Sequence, residues 1–196
     1  RMRSNSYLDP VSHSVEASFA GTVAENGVDT EAARAALAGE SGVGIIKDYR
    51  GSYVLSAYAP LDVLGLHWAI IVEIDLEEAL VPSAEGDGDY FTQYVQTRER
   101  FHDIMFIAPD GYMFYSAAKE ADYQTNMLTG EYKDSGLSTL VRQVLETRAF
   151  GSVDFTSYQP SGGIPAFFMG APIMLDDEVA FVLLFQQVLL FRSKLI

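Results

Sequence analysis

A chain of 196 residues, 48% hydrophobic and 12% aromatic, is long and apolar enough to fold around a real core, as one large domain or two small lobes, and disorder is excluded. Its formal net charge of −14 sets it against nucleic-acid phosphates and anionic lipid headgroups, so neither is expected as a partner. It has no cysteine, which excludes disulfides, thiol catalysis and cysteine metal sites. Nor does any stretch reach the ~20 apolar residues of a membrane span. Residues 179–191 come nearest, but Gln186 and Gln187 interrupt them. No secretory leader is recognisable either.

The N-terminal residues, through Leu8-Asp9-Pro10 and Ala24-Glu25-Asn26-Gly27, are small and polar without a lasting period. They read as a long loop lying over a sheet. Asp29 or Thr30 then caps a predicted helix through Leu37, with acids in its first turn and Gly39 as its stop. Three predicted strands follow, at 43–49, 53–59 and 66–74, the first two joined by a hairpin signal at Arg50-Gly51. In the third, Leu66, Trp68, Ile70, Val72 and Ile74 share one face, which predicts that this face is buried. A helical turn at 76–80 leads to Val81-Pro-Ser-Ala-Glu-Gly-Asp-Gly88, a breaker-rich linker. The predicted organisation is therefore a first lobe over 1–80, a linker over 81–89 and a second lobe over 90–196.

The second lobe opens with a predicted helix at 90–100, with Tyr90, Phe91, Tyr94, Val95 and Arg98 as its inward stripe. Predicted strands at 104–108 and 112–117 form a hairpin across Pro109-Asp110-Gly111. A helix at 135–148, N-capped by Asp134 or Ser135, carries Leu137, Leu140, Val141, Val144 and Leu145 on one apolar face. Three strands close the lobe at 152–158, 165–171 and 178–188, and the last is apolar on both faces, as a central strand would be. The fold class is α+β, two copies of one unit in which an antiparallel sheet carries flanking helices, the first copy lacking its opening strands.

Between the hairpin and the helix lies a run of charges, tyrosines and an Asn, Tyr115 to Asn126, closed by Gly130-Glu-Tyr132-Lys-Asp134-Ser135. Polar groups alternating with rings suit a pocket wall that orients a small polar ligand; an irregular loop whose tyrosines cap the core fits the same pattern. Catalysis is not expected. Among the histidines, His67 falls on a strand face beside Ala69 and Ile71, His102 and Asp103 are adjacent and point to opposite faces, and with His13 they form no metal-ligand spacing. Ser161-Gly162-Gly163 is a turn rather than a phosphate loop, and Glu85-Gly-Asp-Gly-Asp89 is too short for a calcium loop. Neither a metal nor another cofactor is expected.

Longer motifs carry a resemblance. In the second lobe these are Asp103-Ile-Met-Phe-Ile-Ala-Pro-Asp-Gly111, Lys119-Glu-Ala-Asp-Tyr-Gln-Thr-Asn126, Gly130-Glu-Tyr-Lys-Asp-Ser135 and Val153-Asp-Phe-Thr-Ser-Tyr-Gln-Pro-Ser161. In the first they are Arg3-Ser-Asn-Ser6, His13-Ser-Val-Glu-Ala-Ser-Phe-Ala20, Asp48-Tyr-Arg-Gly51 and Leu55-Ser-Ala-Tyr-Ala-Pro-Leu-Asp62. The chain resembles the double Cache sensor region, the PAS-like extracytoplasmic input module of chemoreceptors and sensor histidine kinases. It departs from that pattern in order, because the Lys-Glu-Ala-Asp-Tyr half normally precedes the Tyr-Ala-Pro-Leu-Asp half. The family's long leading helix is also absent as a distinct element. A permuted or tandem-derived chain would account for both departures.

The resemblance implies two PAS-like lobes, the first incomplete, and a small polar solute of the amino acid, amine or carboxylate class as ligand. It implies a non-enzymatic sensor in the periplasmic part of an inner-membrane receptor, joined to the membrane only through segments outside this chain. A homodimer is admitted, and a ligand-free structural or dimerisation module is the alternative. The ligand wall it implies is Tyr115, Lys119, Asp122, Tyr123, Asp134, Tyr158 and Phe168, with Asp122 and Asp134 for an ammonium group and Lys119 for a carboxylate. In the first lobe Asp48, Tyr49 and Tyr53 suggest a shallower site that reads better as ordinary packing.

Overall fold

The computed structural model describes residues 2–4, 6, 11, 13–20, 27–82, 89–98 and 100–189. Most of the predicted linker, residues 83–88, and much of the predicted N-terminal loop lie outside the described residues. The chain divides into two units, Arg1–Ala79 and Leu80–Ile196.

In unit 1, a single turn, α1 (Ala17–Ala20), precedes α2 (Glu31–Leu37), β1 (Gly42–Lys47), β2 (Tyr53–Val63) and β3 (Leu66–Asp75). The helical turn α3 (Leu76–Leu80) follows. Thr30 is the cap of α2, its hydroxyl accepting from the Ala33 amide at 3.3 Å. Ala32, Ala33 and Ala36 form the buried face of that helix, and methyl-sized side chains let it lie close on β2 and β3. The strands form an antiparallel sheet in the order β1-β2-β3. Asp48 closes the first hairpin by accepting the Arg50 and Ser52 amides at 2.8 and 2.9 Å. Leu64 and Gly65, both at positive φ, make the two-residue turn of the second.

The predicted alternation along β3 holds, but its inside and outside are exchanged. Leu66, Ile70, Val72 and Ile74 are 39–64% exposed, and Val43 of β1 is 71% exposed; Trp68, the fifth residue predicted for that face, departs from this and is half-buried. α2 covers the other face, which carries Ala69 and Ile71 but also Glu73 and Asp75. Hydrophobicity alone put the richer apolar face inside; the helix instead sits on the face that bears the acids.

Unit 2 contains α4 (Tyr90–Arg98), β4 (Asp103–Ile107), β5 (Met113–Ser116), α5 (Gly136–Thr147), β6 (Gly151–Ser157), β7 (Pro165–Leu175) and β8 (Glu178–Val188). Its sheet is antiparallel in the order β5-β4-β8-β7-β6, so the strand that is apolar on both faces is central. α5 lays Leu137, Leu140, Val141 and Val144 onto Met105, Ile107, Phe168, Val182 and Leu184, all fully buried. Ser135, not Asp134, caps α5, accepting from the Ser138 amide. Gly170 is required where β7 passes β8: a Cβ there would stand 2.6 Å from Leu184 Cδ2 and 2.8 Å from the Leu183 carbonyl oxygen.

The inward stripe predicted for α4 is only partly realised. No residue of α4 is fully buried, and Tyr90 is 51% exposed. Phe91 does rest on the sheet, its ring centroid 5.5 Å from that of Phe106. Asp89 anchors the start of the helix instead, accepting the Thr92 amide and hydroxyl, each at 2.9 Å.

Candidate functional site

Directly paired residues of neighbouring strands share a sheet face. Phe106 pairs with Tyr115 and Leu183, whereas Met105 pairs with Ser116 and Leu184. Phe168 pairs with Gln186, two residues from Leu184 on the same strand face. Tyr115 and Phe168 therefore lie on opposite sides of the sheet, and the seven residues assigned to one wall are not brought together. Tyr115 belongs to the α4 side, where its ring lies 6.0 Å from Phe91 and its hydroxyl donates to Asp89 at 2.7 Å. Burial, then donation to Asp89, pushes its phenol up.

Three of the seven do meet on the α5 side. Tyr158 and Phe168 pack edge to face at 4.8 Å, and the Tyr158 hydroxyl donates to Asp122 Oδ2. All three are at most 1% exposed and sit in packed interior. Lys119 and Tyr123 lie further out, the ammonium 5.4 Å from the ring centroid. Asp134 is exposed beside the cap of α5.

Around Asp122 stands a polar group that the sequence pattern did not assemble. Glu120 accepts from Ser161 at 2.6 Å and lies 2.9 Å from His102 Nε2; Gln186 donates to Ser161 at 2.7 Å. Asp103, on the same sheet row as Gln186 and Phe168, accepts from Ser116 and from the amides of Ile104 and Ala118 at 2.7–2.9 Å. Asp122 Oδ1 and Gln186 Oε1 are buried without a hydrogen-bond partner among the described residues. Burial pushes the Asp103 carboxyl up to about 7 and raises that of Asp122. The bond to Glu120 raises His102. Burial opposes ionisation of Glu120, but its bonds from His102 and Ser161 hold it below the usual range. This group can hold protons, and Asp103, Asp122 and Gln186 in it are at most 1% exposed.

Room exists in unit 1. A cavity of about 540 Å³ lies between the covered face of β3, the β1–β2 turn, α2 and residues Met2, Arg3, Ser4 and Ser6. Its apolar wall includes Leu37, Val54 and Ile71, and its polar and aromatic wall includes Asp48, Tyr49, Arg50, Trp68, Glu73 and Asp75. Arg50 bridges two of the acids, Nε to Asp48 at 2.7 Å and Nη2 to Asp75 at 3.0 Å. Among the described residues Glu73 accepts one side-chain bond, from the Ser56 hydroxyl at 3.3 Å. Burial first, and then the charge of Asp48, raise its carboxyl. Tyr49 is held by a 2.7 Å bond to Ser6 and by the His13 ring at 4.0 Å. His67 sits on the lining between Asp62, 2.6 Å from Nδ1, and the Leu37 carbonyl, 3.1 Å from Nε2; the Asp62 bond raises its pKa.

Asp48 and Tyr49, read from sequence as packing, thus line the cavity, and Tyr53 does not. Glu73 and Asp75 were missed. Two acids at i and i+2 on an otherwise apolar strand were the available signal. Among the described residues no group of three or more His, Cys, Asp or Glu could hold a metal ion, and no helix is long and apolar enough to cross a membrane.

The sheet order and crossing helix answer the expectation drawn from the motifs. Unit 2 is PAS-like in fold. No family model and no curated protein matches the chain. Among solved structures it is similar to the extracellular domain of a protein described as a histidine kinase, mmHK1S-Z2, at 15% identity over 74% of this chain and 50% of that one, with a TM-score of 0.42. It is similar to an extracellular ligand-binding receptor from Desulfohalobium retbaense at 13% identity, over 74% of this chain and 22% of that one, with a TM-score of 0.39. For methyl-accepting chemotaxis protein X the values are 15% identity, 79% and 52% coverage, and 0.43. The chain spans 50%, 22% and 52% of the lengths of these three.

Proposed function

We propose that the chain is the extracytoplasmic ligand-sensing part of a bacterial transmembrane receptor, a chemoreceptor or sensor kinase, and that its solute binds in the cavity of unit 1. The cavity carries this reading. Its volume of about 540 Å³ falls within the range of small-molecule sites, and it combines apolar walls with a few convergent charges and two rings. The motif resemblance supplies the sensory role, and the PAS-like sheet of unit 2 is the fold that resemblance implies.

Signalling follows from where the walls come from. One is the face of β3; another is formed by Met2, Arg3, Ser4 and Ser6, the last tied to the β1–β2 turn through Tyr49. A solute touching both favours the arrangement that holds them together. It shifts the population by its difference in affinity for the closed and open forms, and a few kcal/mol are needed for a full response.

The test is a thermal-shift screen against amino acids, amines, carboxylates and purines, repeated with Trp68→Ala. A saturable rise that Trp68→Ala removes supports the reading. A flat response across the panel counts against it and favours the second reading, a ligand-free structural or dimerisation module. The solid packing around Tyr158 and Phe168 in unit 2 is the observation that supports that alternative.

A further inference from the structure

Resting on the reading of the unit 1 cavity as a ligand site, we infer the class of its ligand: an organic monocation, a protonated amine with an apolar or aromatic body, whose ammonium pairs with Glu73. Three carboxylates of the lining, Asp48, Glu73 and Asp75, face two guanidinium groups, Arg3 and Arg50. The charges are not shared evenly. Arg50 is committed to Asp48 and Asp75 at once, by bonds of 2.7 and 3.0 Å. Glu73 is left, among the described residues, with one long bond from a neutral hydroxyl. A half-buried carboxylate in that position bears a desolvation cost that a cation would relieve.

The rings of the cavity are suited to the same charge. The Arg50 guanidinium lies 5.8 Å from the Tyr49 centroid and that of Arg3 lies 5.8 Å from the Trp68 centroid, so both faces already accept cations. Of the two guanidinium groups, Arg50 is spent on Asp48 and Asp75 and Arg3 lies against the Phe19 and Trp68 rings, 5.5 and 5.8 Å from their centroids, so three carboxylates of the lining outnumber its guanidinium groups. Leu37, Val54 and Ile71 give the body of the ligand an apolar surface, which a bare metal ion would not use. The net charge of −14 draws cations toward the protein before contact.

The experiment is isothermal titration of the full chain with three molecules of one shape: phenethylamine, 2-phenylethanol and 3-phenylpropionate. The amine should bind at least tenfold tighter than the alcohol, and the acid should not bind. Glu73→Gln should weaken the amine tenfold or more and bring it level with the alcohol. That variant keeps the Ser56 contact and loses a charge the fold holds at a cost, so it should melt no lower than the parent. Trp68→Leu provides a second variant and should weaken the amine without restoring the acid. Tighter binding of the alcohol or acid, or an amine affinity unmoved by Glu73→Gln, overturns the ligand class while leaving the cavity as a ligand site. The same holds if none of the three binds but another solute of the wider panel does. Silence across the whole panel overturns the class and the sensor reading together.

Discussion

Asp103 is a carboxylate kept 1% exposed by three donors, and its ionisation is pushed up to about 7. In the unfolded chain the same group titrates near 4. The folded state therefore binds the extra proton between these values, and the stability this group contributes is lost as pH rises toward 7. Asp122 and His102, both raised, act in the same sense, while Glu120, held low, gives way only below the ordinary carboxylate range. Unit 2 is expected to melt higher at pH 5.5 than at pH 8, and Asp103→Asn should flatten that slope; a profile rising with pH would contradict the assignment. None of this was legible in sequence, where Asp103 and His102 read only as an unlikely catalytic pair. Sequence adjacency kept them apart in that reading, whereas the fold joins each to a distant partner, Ser116 and Glu120. Asp48 and Tyr49 were visible as a motif but not as a cavity wall, because the acids that complete it stand two strands later, at the end of β3.

Periodicity located the elements better than it oriented them. α5 was legible because its five apolar residues fit one helical face, and β8 because apolar residues on both sides demand a central place. β3 was legible as a strand but not as to its inside, since both of its faces carry apolar residues and only the position of α2 decides between them. The split of Tyr115 from Tyr158 was illegible for a related reason: which face a residue takes depends on register, which the hairpin sets. Close approach is equally hidden in sequence and testable by substitution. Gly170→Ala should lower stability by about 1–3 kcal/mol in urea unfolding, because the new methyl group meets Leu184 and a backbone oxygen. Gly163→Ala is not its equal as a control, being at positive φ; Gly44, where a Cβ meets nothing within 4 Å, serves better.

Each unit has its own core, and the two are unequal. Of the largest fully buried side chains among the described residues, Leu76 alone belongs to unit 1. Scanning calorimetry should resolve two transitions, the lower one from unit 1, and a cavity ligand should raise only that one. A single transition moved as a whole would show that the units melt together. The uncovered face of the unit 1 sheet has a further consequence. Val43, Ile70 and Val72 stand open on a sheet whose outer strands β1 and β3 pair, among the described residues, only with β2, an arrangement prone to strand-to-strand association. The net charge of −14 opposes that association in dilute buffer by mutual repulsion. At ~1 M salt the screening length shrinks to about 3 Å. The hydrodynamic radius from light scattering should then grow with salt, and a charge set into the open face, as in Val72→Lys, should hold the protein monodisperse.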